Sequence, residues 1–169
     1  MKLHFNDGWY FTENYCDELP GWDEARARNL TPVRIPHTVK ELPLNYLNEQ
    51  DYQMVSGYLH PLTVPANWAG KRVLLHFGAV DQECTVYLND RELGSHVGGY
   101  LPFSFDVTDL LQETNTLRVI AFDPLDHDLP YGKQKIDRGG MWYTPVSGIW
   151  QTVWMESVPE TYIRGVKIE

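Results

Sequence analysis

Glu83-Cys84-Thr85-Val86-Tyr87-Leu88-Asn89-Asp90-Arg91-Glu92-Leu93-Gly94-Ser95-His96-Val97 decides the fold. Cys84, Val86 and Leu88 share one side of a period-two pattern, with Thr85, Tyr87 and Asn89 on the other. That spacing predicts a half-buried strand. Asn89-Asp90 predicts a tight hairpin turn into Arg91–Val97, because both residue types tolerate the positive φ that such a turn demands. The same period recurs outward from the hairpin. Val73, Leu75 and Phe77 alternate with Leu74 and His76, and Leu117, Val119 and Ala121 alternate with Arg118, Ile120 and Phe122. Trp150–Met155 and Tyr162–Ile168 read as two further strands. No long 3.6-residue apolar period competes. Thr108-Asp109-Leu110-Leu111 predicts one short helical turn, capped by Thr108 or Asp106. The charged stretch Asp17–Asn29 fits a loop or a brief helix. Many short strands and almost no helix predict a β-sandwich or barrel.

Composition narrows the partners. The 169 residues carry 14 basic and 23 acidic side chains, a formal charge of −9. Phosphate binding needs a basic footprint, so nucleic acid is excluded as the expected partner. An anionic membrane surface is excluded for the same reason, and no apolar run reaches transmembrane length. The segment Met1–Gly8 has no apolar leader core. Cys16 and Cys84 lie far apart with no CxxC spacing, so no disulfide framework is expected, and Cys84 reads as a small core residue. A reducing cytoplasm is the simplest setting for such a chain.

Five segments then carry a resemblance. They are Arg34-Ile35-Pro36-His37, Ser56-Gly57-Tyr58, Gly70–Asp81 (GKRVLLHFGAVD), His96–Thr108 (HVGGYLPFSFDVT) and Ser147–Glu156 (SGIWQTVWME). In order and spacing they resemble the N-terminal sugar-binding domain of family 2 glycoside hydrolases, the β-galactosidase and β-glucuronidase type. The resemblance spans nearly the whole chain. It implies an all-β fold, a jelly-roll sandwich of two antiparallel sheets, over residues 1–159. Residues 160–169 would be a linker or the first strand of a following immunoglobulin-like domain, with a catalytic (β/α)₈ barrel beyond. The implied role is that of a non-catalytic accessory domain of a retaining β-glycosidase that meets carbohydrate through the parent enzyme. A homo-oligomeric parent is compatible with it. An autonomous carbohydrate-binding module is the alternative, and a purely structural interaction domain a third reading. The chain departs from the family pattern in three places. Asp90 stands where the hairpin usually has Gly, His60 where a basic residue is frequent, and Gly140 where some β-galactosidases place an acid before Met-Trp. Asp137 lies three residues before Gly140.

No catalytic residues, no metal and no cofactor are expected. Asp81 and Glu83 could be read as paired carboxylates, but they share a strand entry and are expected together on an exposed rim. Asp123, Asp126, His127 and Asp128 lack the regular spacing of a calcium loop and are expected to be solvated. The histidines show no zinc spacing, and His37 reads as a hydrogen-bonded structural residue. Gly98-Gly99 suits a bulge or sharp bend. Trp9, Trp22, Trp68, Trp150 and Trp154 are assigned to core or interface. The segment Asp123–Ser147 is long for a mere connection. Within Tyr131–Pro145, Trp142 and Tyr143 either stack on a pyranose ring or pack back onto the sandwich. By the resemblance, the candidate sugar contacts are Gln53, Asp137, Arg138, Trp142 and Tyr143. An excised domain of this kind is expected to expose an apolar patch near Trp142 or the C-terminal strand.

Overall fold

The computed structural model describes residues 1–13, 30–38, 55–130, 132–135 and 140–169. Ten strands lie within them: β1 Lys2–His4, β2 Trp9–Glu13, β3 Thr31–Val33, β4 Val55–Leu62, β5 Arg72–Phe77, β6 Glu83–Leu88, β7 Arg91–Val97, β8 Phe103–Asp106, β9 Asn115–Phe122 and β10 Val153–Val158. They form two antiparallel sheets, one ordered β1-β10-β5-β8 and the other β3-β2-β4-β9-β6-β7. This is the jelly-roll sandwich expected from the sequence. The charged stretch Asp17–Asn29, with Trp22 in it and Cys16 just before it, lies outside the described residues.

The period-two patterns place the core. Strands β6, β9 and β10 alternate buried and half-buried positions along most of their length. Leu75, Phe77, Val153 and Met155 from the smaller sheet join Tyr58, Val86, Leu88, Leu117 and Val119 from the larger in one cluster. Burying each such side chain contributes roughly 1.5–3 kcal/mol. Trp9 and Trp68 belong to it, Trp150 and Trp154 are half-buried, and Cys84 is a core residue as its pattern predicts. Burial pushes the Cys84 thiol up to about 12, which keeps it un-ionised and inert.

The hairpin at the centre of the sequence argument forms in the predicted register, with Leu88 opposite Arg91. Asn89 and Asp90 both take positive φ, 52° and 62°, so Asp90 substitutes for the usual Gly without breaking the turn. The Asn89 side chain locks the corner. Its Nδ2 donates to Leu110 O and Asn115 Oδ1, and its Oδ1 accepts Thr116 N–H. The helical turn forms as a 3₁₀ segment over Thr108–Leu110. Its first residue's N–H is held by Asp106 Oδ1 at 3.1 Å.

Two strand assignments change. The final strand begins at Val153, because Trp150–Thr152 are still turning out of the preceding loop. Tyr162–Ile168 pairs with no strand among the described residues. Both sides of β10 are already taken, by β1 and β5, so the sheet offers the tail no edge beside the strand it leaves.

One backbone contact closes the sandwich. Gly148 has φ +90°, and a Cβ placed there would lie 2.1 Å from the Tyr58 hydroxyl. Gly148→Ala is therefore expected to destabilise the domain by about 3 kcal/mol or more, through strain and overlap together. Gly165→Ala, at a position with open space around it, is expected to be silent. Thermal denaturation of the two variants checks both; a mild Gly148 variant would show that the loop return is not constrained there.

Candidate functional site

The long connection between β9 and β10 has two arms. The first is built on short polar turns. Asp123 Oδ1 accepts Leu125 N–H at 3.2 Å, and Asp126 Oδ1 accepts Asp128 N–H at 2.9 Å. The second arm folds on itself. Tyr143 N–H donates to Lys133 O at 2.7 Å, and Lys135 N–H donates back to Tyr143 O at 3.0 Å. Gln134 accepts Val146 N–H through Oε1. Gly132 and Gly140, with φ +70° and +60°, supply the bends.

This pairing leaves the aromatic pair at the surface. Trp142 and Tyr143 are 43% and 67% exposed. Lys135 Nζ sits 6.0 Å from the Trp142 ring centroid, in cation–π range. Met141, Val146, Tyr100 and Leu101 are also exposed. The domain therefore carries the apolar and aromatic surface expected near Trp142. Gln53, Asp137 and Arg138 lie outside the described residues, as does Tyr131.

The root of the loop is where sequence reasoning falls short. Asp81 is not on an exposed rim: it is 5% exposed, and Asp123 is as deep at 3%. Glu83 is only half-buried, so the two expected partners part company. The run Asp123–Asp128 divides likewise: Asp126, His127 and Asp128 are exposed while Asp123 turns inward. The reason is backbone pairing. Asp81 exchanges both hydrogen bonds with Gly148 at 3.0 Å, and Gln82 N–H donates to Phe122 O. This draws residue 81 under the mouth of the loop. Gly98–Tyr100 covers it from the β7–β8 turn. Gly98 takes φ +118°, Gly98 N–H donates to Gln82 O, and Gly99 lies against the Asp81 carboxylate. Trp150 fixes that turn by donating its indole N–H to Gly99 O at 2.7 Å. The Tyr100 and Trp150 rings meet edge-on at 6.1 Å.

Burial, and then the charge of Asp123, push the Asp81 carboxyl up to about 7. Tyr100 is raised as well, by burial first and then by both acids. A perturbed carboxyl beside a second one invites a catalytic reading. Glycoside hydrolysis needs its two carboxyls to flank an accessible bond, and Asp81 is sealed beneath Gly99. Of the sequence signals, only the coincidence of Asp81 and Gly98-Gly99-Tyr100 in family-like segments pointed here. Nothing in the sequence places residue 123 beside residue 81.

A sandwich of two antiparallel sheets with a long aromatic-bearing connection before its last strand defines an all-β jelly-roll module. Residues 35–151 match the glycosyl hydrolase 2 galactose-binding domain-like family, and the chain belongs to that family. It is similar to a β-galactosidase of Thermoanaerobacter pseudethanolicus, with 34% identity over 97% of this chain and 22% of that protein. It is also similar to a putative β-glucuronidase of Formosa agariphila, at 27% identity over 99% and 19%. Among solved structures, a Bacteroides uniformis β-glucuronidase superposes with a TM-score of 0.74 at 27% identity, over 94% of this chain and 18% of that one. The chain thus spans about a fifth of these relatives and corresponds to the N-terminal domain of larger family 2 glycoside hydrolases.

The raised Asp81 carboxyl makes a prediction about pH. An acid whose folded pKa lies above its unfolded value holds more protons when folded, so stability falls as pH rises between the two. In chelator-treated buffer the domain should lose stability from about pH 4 to about pH 7, the interval between the ordinary 3.8 and the raised value. Asp81→Asn should flatten that slope and be the more stable protein at pH 8, by on the order of a few kcal/mol. Parallel melting curves for the two proteins across this range would show that the buried carboxylate carries no such penalty.

Proposed function

We propose that the chain serves as a non-catalytic accessory domain of a retaining β-glycosidase, and that the arm bearing Trp142 and Tyr143 is its contribution to sugar binding. The observation that carries this is the exposure of both rings on an arm held by its own backbone hydrogen bonds. An aromatic pair left open to solvent forgoes the burial that normally places such rings. A pyranose presents an apolar C–H face that an indole can cover. Lys133 and Lys135 beside the rings can donate to hydroxyls, and Gln53, Asp137 and Arg138 are proposed to do so too. The chemistry of bond cleavage, with one carboxyl protonating the leaving group and a second forming a covalent intermediate, is assigned to the rest of the parent protein.

The tail supports the same reading. Ile163, Val166 and Ile168 are 80%, 76% and 91% exposed. Apolar residues in that state suit a linker or first strand that is completed by a following immunoglobulin-like domain. A cytoplasmic location fits the buried, un-ionised Cys84 thiol. The aromatic arm also favours a second reading, an autonomous carbohydrate-binding module, because its rings are usable without a partner.

Turnover tests the non-catalytic role, and Trp142→Ala kinetics with glycan binding separates the two readings. The 169-residue chain by itself should turn over no nitrophenyl glycoside. In the full-length parent, Trp142→Ala should lower kcat/KM for the glycoside by about tenfold, a loss of roughly 1.4 kcal/mol of transition-state binding, with the melting temperature unchanged. A Trp142 variant that unfolds the domain and spares kinetics would place the ring in a structural role. Tight glycan binding by the chain alone, lost on Trp142→Ala, would favour the autonomous module.

A further inference from the structure

We propose that the outer face of the larger sheet carries a glycan site of its own, separate from the aromatic arm. It is a groove along β6 that takes a short neutral oligosaccharide. Phe122 and Ile120 form its apolar floor, and Glu83, Thr85 and Ser95 supply its hydrogen-bonding groups.

Strand pairing assembles the surface. Strand β6 buries Cys84, Val86 and Leu88 and turns Glu83, Thr85 and Tyr87 outward. Strand β9 buries Leu117, Val119 and Ala121 and turns Arg118, Ile120 and Phe122 outward. The register sets these side chains in rows. Val55, Phe122, Glu83 and Val97 stand side by side across β4, β9, β6 and β7, and the next row holds Ile120, Thr85 and Ser95. The outward face of an antiparallel sheet ordinarily meets water and is polar. Here three of the four residues in the first row are apolar, and Phe122 and Val97 are 39% and 62% exposed. The face is also concave. It encloses about 500 Å³ between these rows, inside the range of about 300–1,000 Å³ usual for small-ligand sites.

The polar groups within the groove select the ligand. Glu83 is half-buried in the first row, and among the described residues its carboxylate makes no hydrogen bond or ion pair. An apolar partner surface laid over the groove would seal that charge in unpaired, which is strongly unfavourable. A carboxylate has two acceptor oxygens and can take protons from two neighbouring hydroxyls. In the next row Thr85 Oγ1 and Ser95 Oγ lie 3.1 Å apart. Each hydroxyl both donates and accepts, so the pair keeps capacity for a ligand after bonding to itself. A ligand that must offer an apolar C–H face to Phe122 and hydroxyls to Glu83, Thr85 and Ser95 is a sugar.

Charge and length narrow it further. Among the described residues no lysine or arginine lines the groove. Arg118, one row further on, is held over the Tyr87 ring at 4.3 Å from its centroid. With Glu83 inside the groove and a formal charge of −9 on the chain, the glycan is neutral rather than acidic. Neighbouring strands are about 4.8 Å apart, so the row from Val55 to Val97 spans roughly 14 Å, more than one pyranose ring covers. The binding claim stands whether or not Trp142 touches sugar, because sheet pairing alone builds the groove.

Amide chemical-shift mapping by NMR on the 169-residue chain tests it, with cellopentaose and galactotetraose as neutral probes and trigalacturonate as the acidic one. At least one neutral probe at millimolar concentration should shift the amides of Thr85, Ser95, Val97 and Phe122 saturably, and trigalacturonate should not. Phe122→Ala and Glu83→Gln should each weaken that binding about tenfold. Both side chains face away from the core, so the melting temperature should stay near that of the parent chain; Glu83→Gln keeps the shape of the residue and decides the matter if Phe122→Ala folds poorly. Asp128→Asn, on the exposed turn of the loop, should bind as the parent does. Absence of shifts with both neutral probes would overturn the proposal, as would binding that survives Glu83→Gln undiminished or a preference for trigalacturonate. Shifts confined to residues 133–146 would place the sugar on the arm and overturn the groove. Shifts of the groove amides that appear on concentrating the protein without sugar would assign the face to a second copy of the chain, again overturning it.

Discussion

The approach of the Gly148 backbone to the Tyr58 hydroxyl is the constraint on which the rest of the molecule depends. Tyr58 sits on β4 with no exposed surface, and its hydroxyl lies 2.9 Å from His37 Nδ1. Its burial makes ionisation far harder than usual, so the hydroxyl stays neutral and able to hydrogen-bond. Around it the chain returns from a long excursion. His37 N–H donates to Ile149 O, and Gly148 pairs with Asp81 on the next side. Three distant stretches are thereby fixed at one point: the β3 exit, the β5–β6 connection and the end of the loop. Only a residue without a Cβ can pass the tyrosine, so the position of the whole β10 strand follows from one glycine.

That fixed point also explains why acidic groups are found inside. Pairing of Asp81 with Gly148 and of Gln82 with Phe122 is dictated by the backbone, and the side chains of 81, 82 and 123 must then go where the sandwich end and the Gly98–Tyr100 turn leave room. Backbone hydrogen bonds in the interior are worth keeping because an unmade one costs the full desolvation of its group. The core supplies enough apolar burial to tolerate an expensive polar pocket at one end. Strained or electrostatically unfavourable positions persist only where surrounding structure over-determines them, and such places are where function is commonly found.

How much of this is legible in the sequence differs by element. The turn of the β6–β7 hairpin is readable to the residue, because alternation and turn chemistry are local and agree: Val86 and Leu88 face in, and Asn89-Asp90 adopt the φ values their side chains tolerate, whereas the register shift between Val86 and Tyr87 is not. The sandwich follows from repetition of that pattern. The tail Tyr162–Ile168 alternates just as well yet pairs with no described strand, since pairing needs a vacant edge and vacancy is a property of the sheet. Asp81 misleads for a related reason. Beside Glu83 it looks like one end of a solvated rim, but its burial is set by Gly148 and Gly99, which are 67 and 18 positions away in the sequence. For Trp142 the sequence offers two readings of equal standing. The exposure of the ring follows from the pairing of residues 133–135 with Tyr143, a backbone event that composition does not encode.

The exposed arm and the buried root are mechanically complementary. A ring that is to meet a ligand must be held still, or the entropy of ordering it is lost from binding. In the proposed sugar-binding role Trp142 is not held by burial, since its ring is 43% exposed. It is held instead by its neighbours, through the Lys133–Tyr143 and Tyr143–Lys135 backbone bonds, while Thr144, Pro145, Ser147, Gly148 and Ile149 sink into the domain just behind it. The buried Thr144 directly follows the exposed Tyr143. So short a lever transmits the order of the root to the tip. A disturbance at Asp81 or Gly148 should therefore be felt at the aromatic pair.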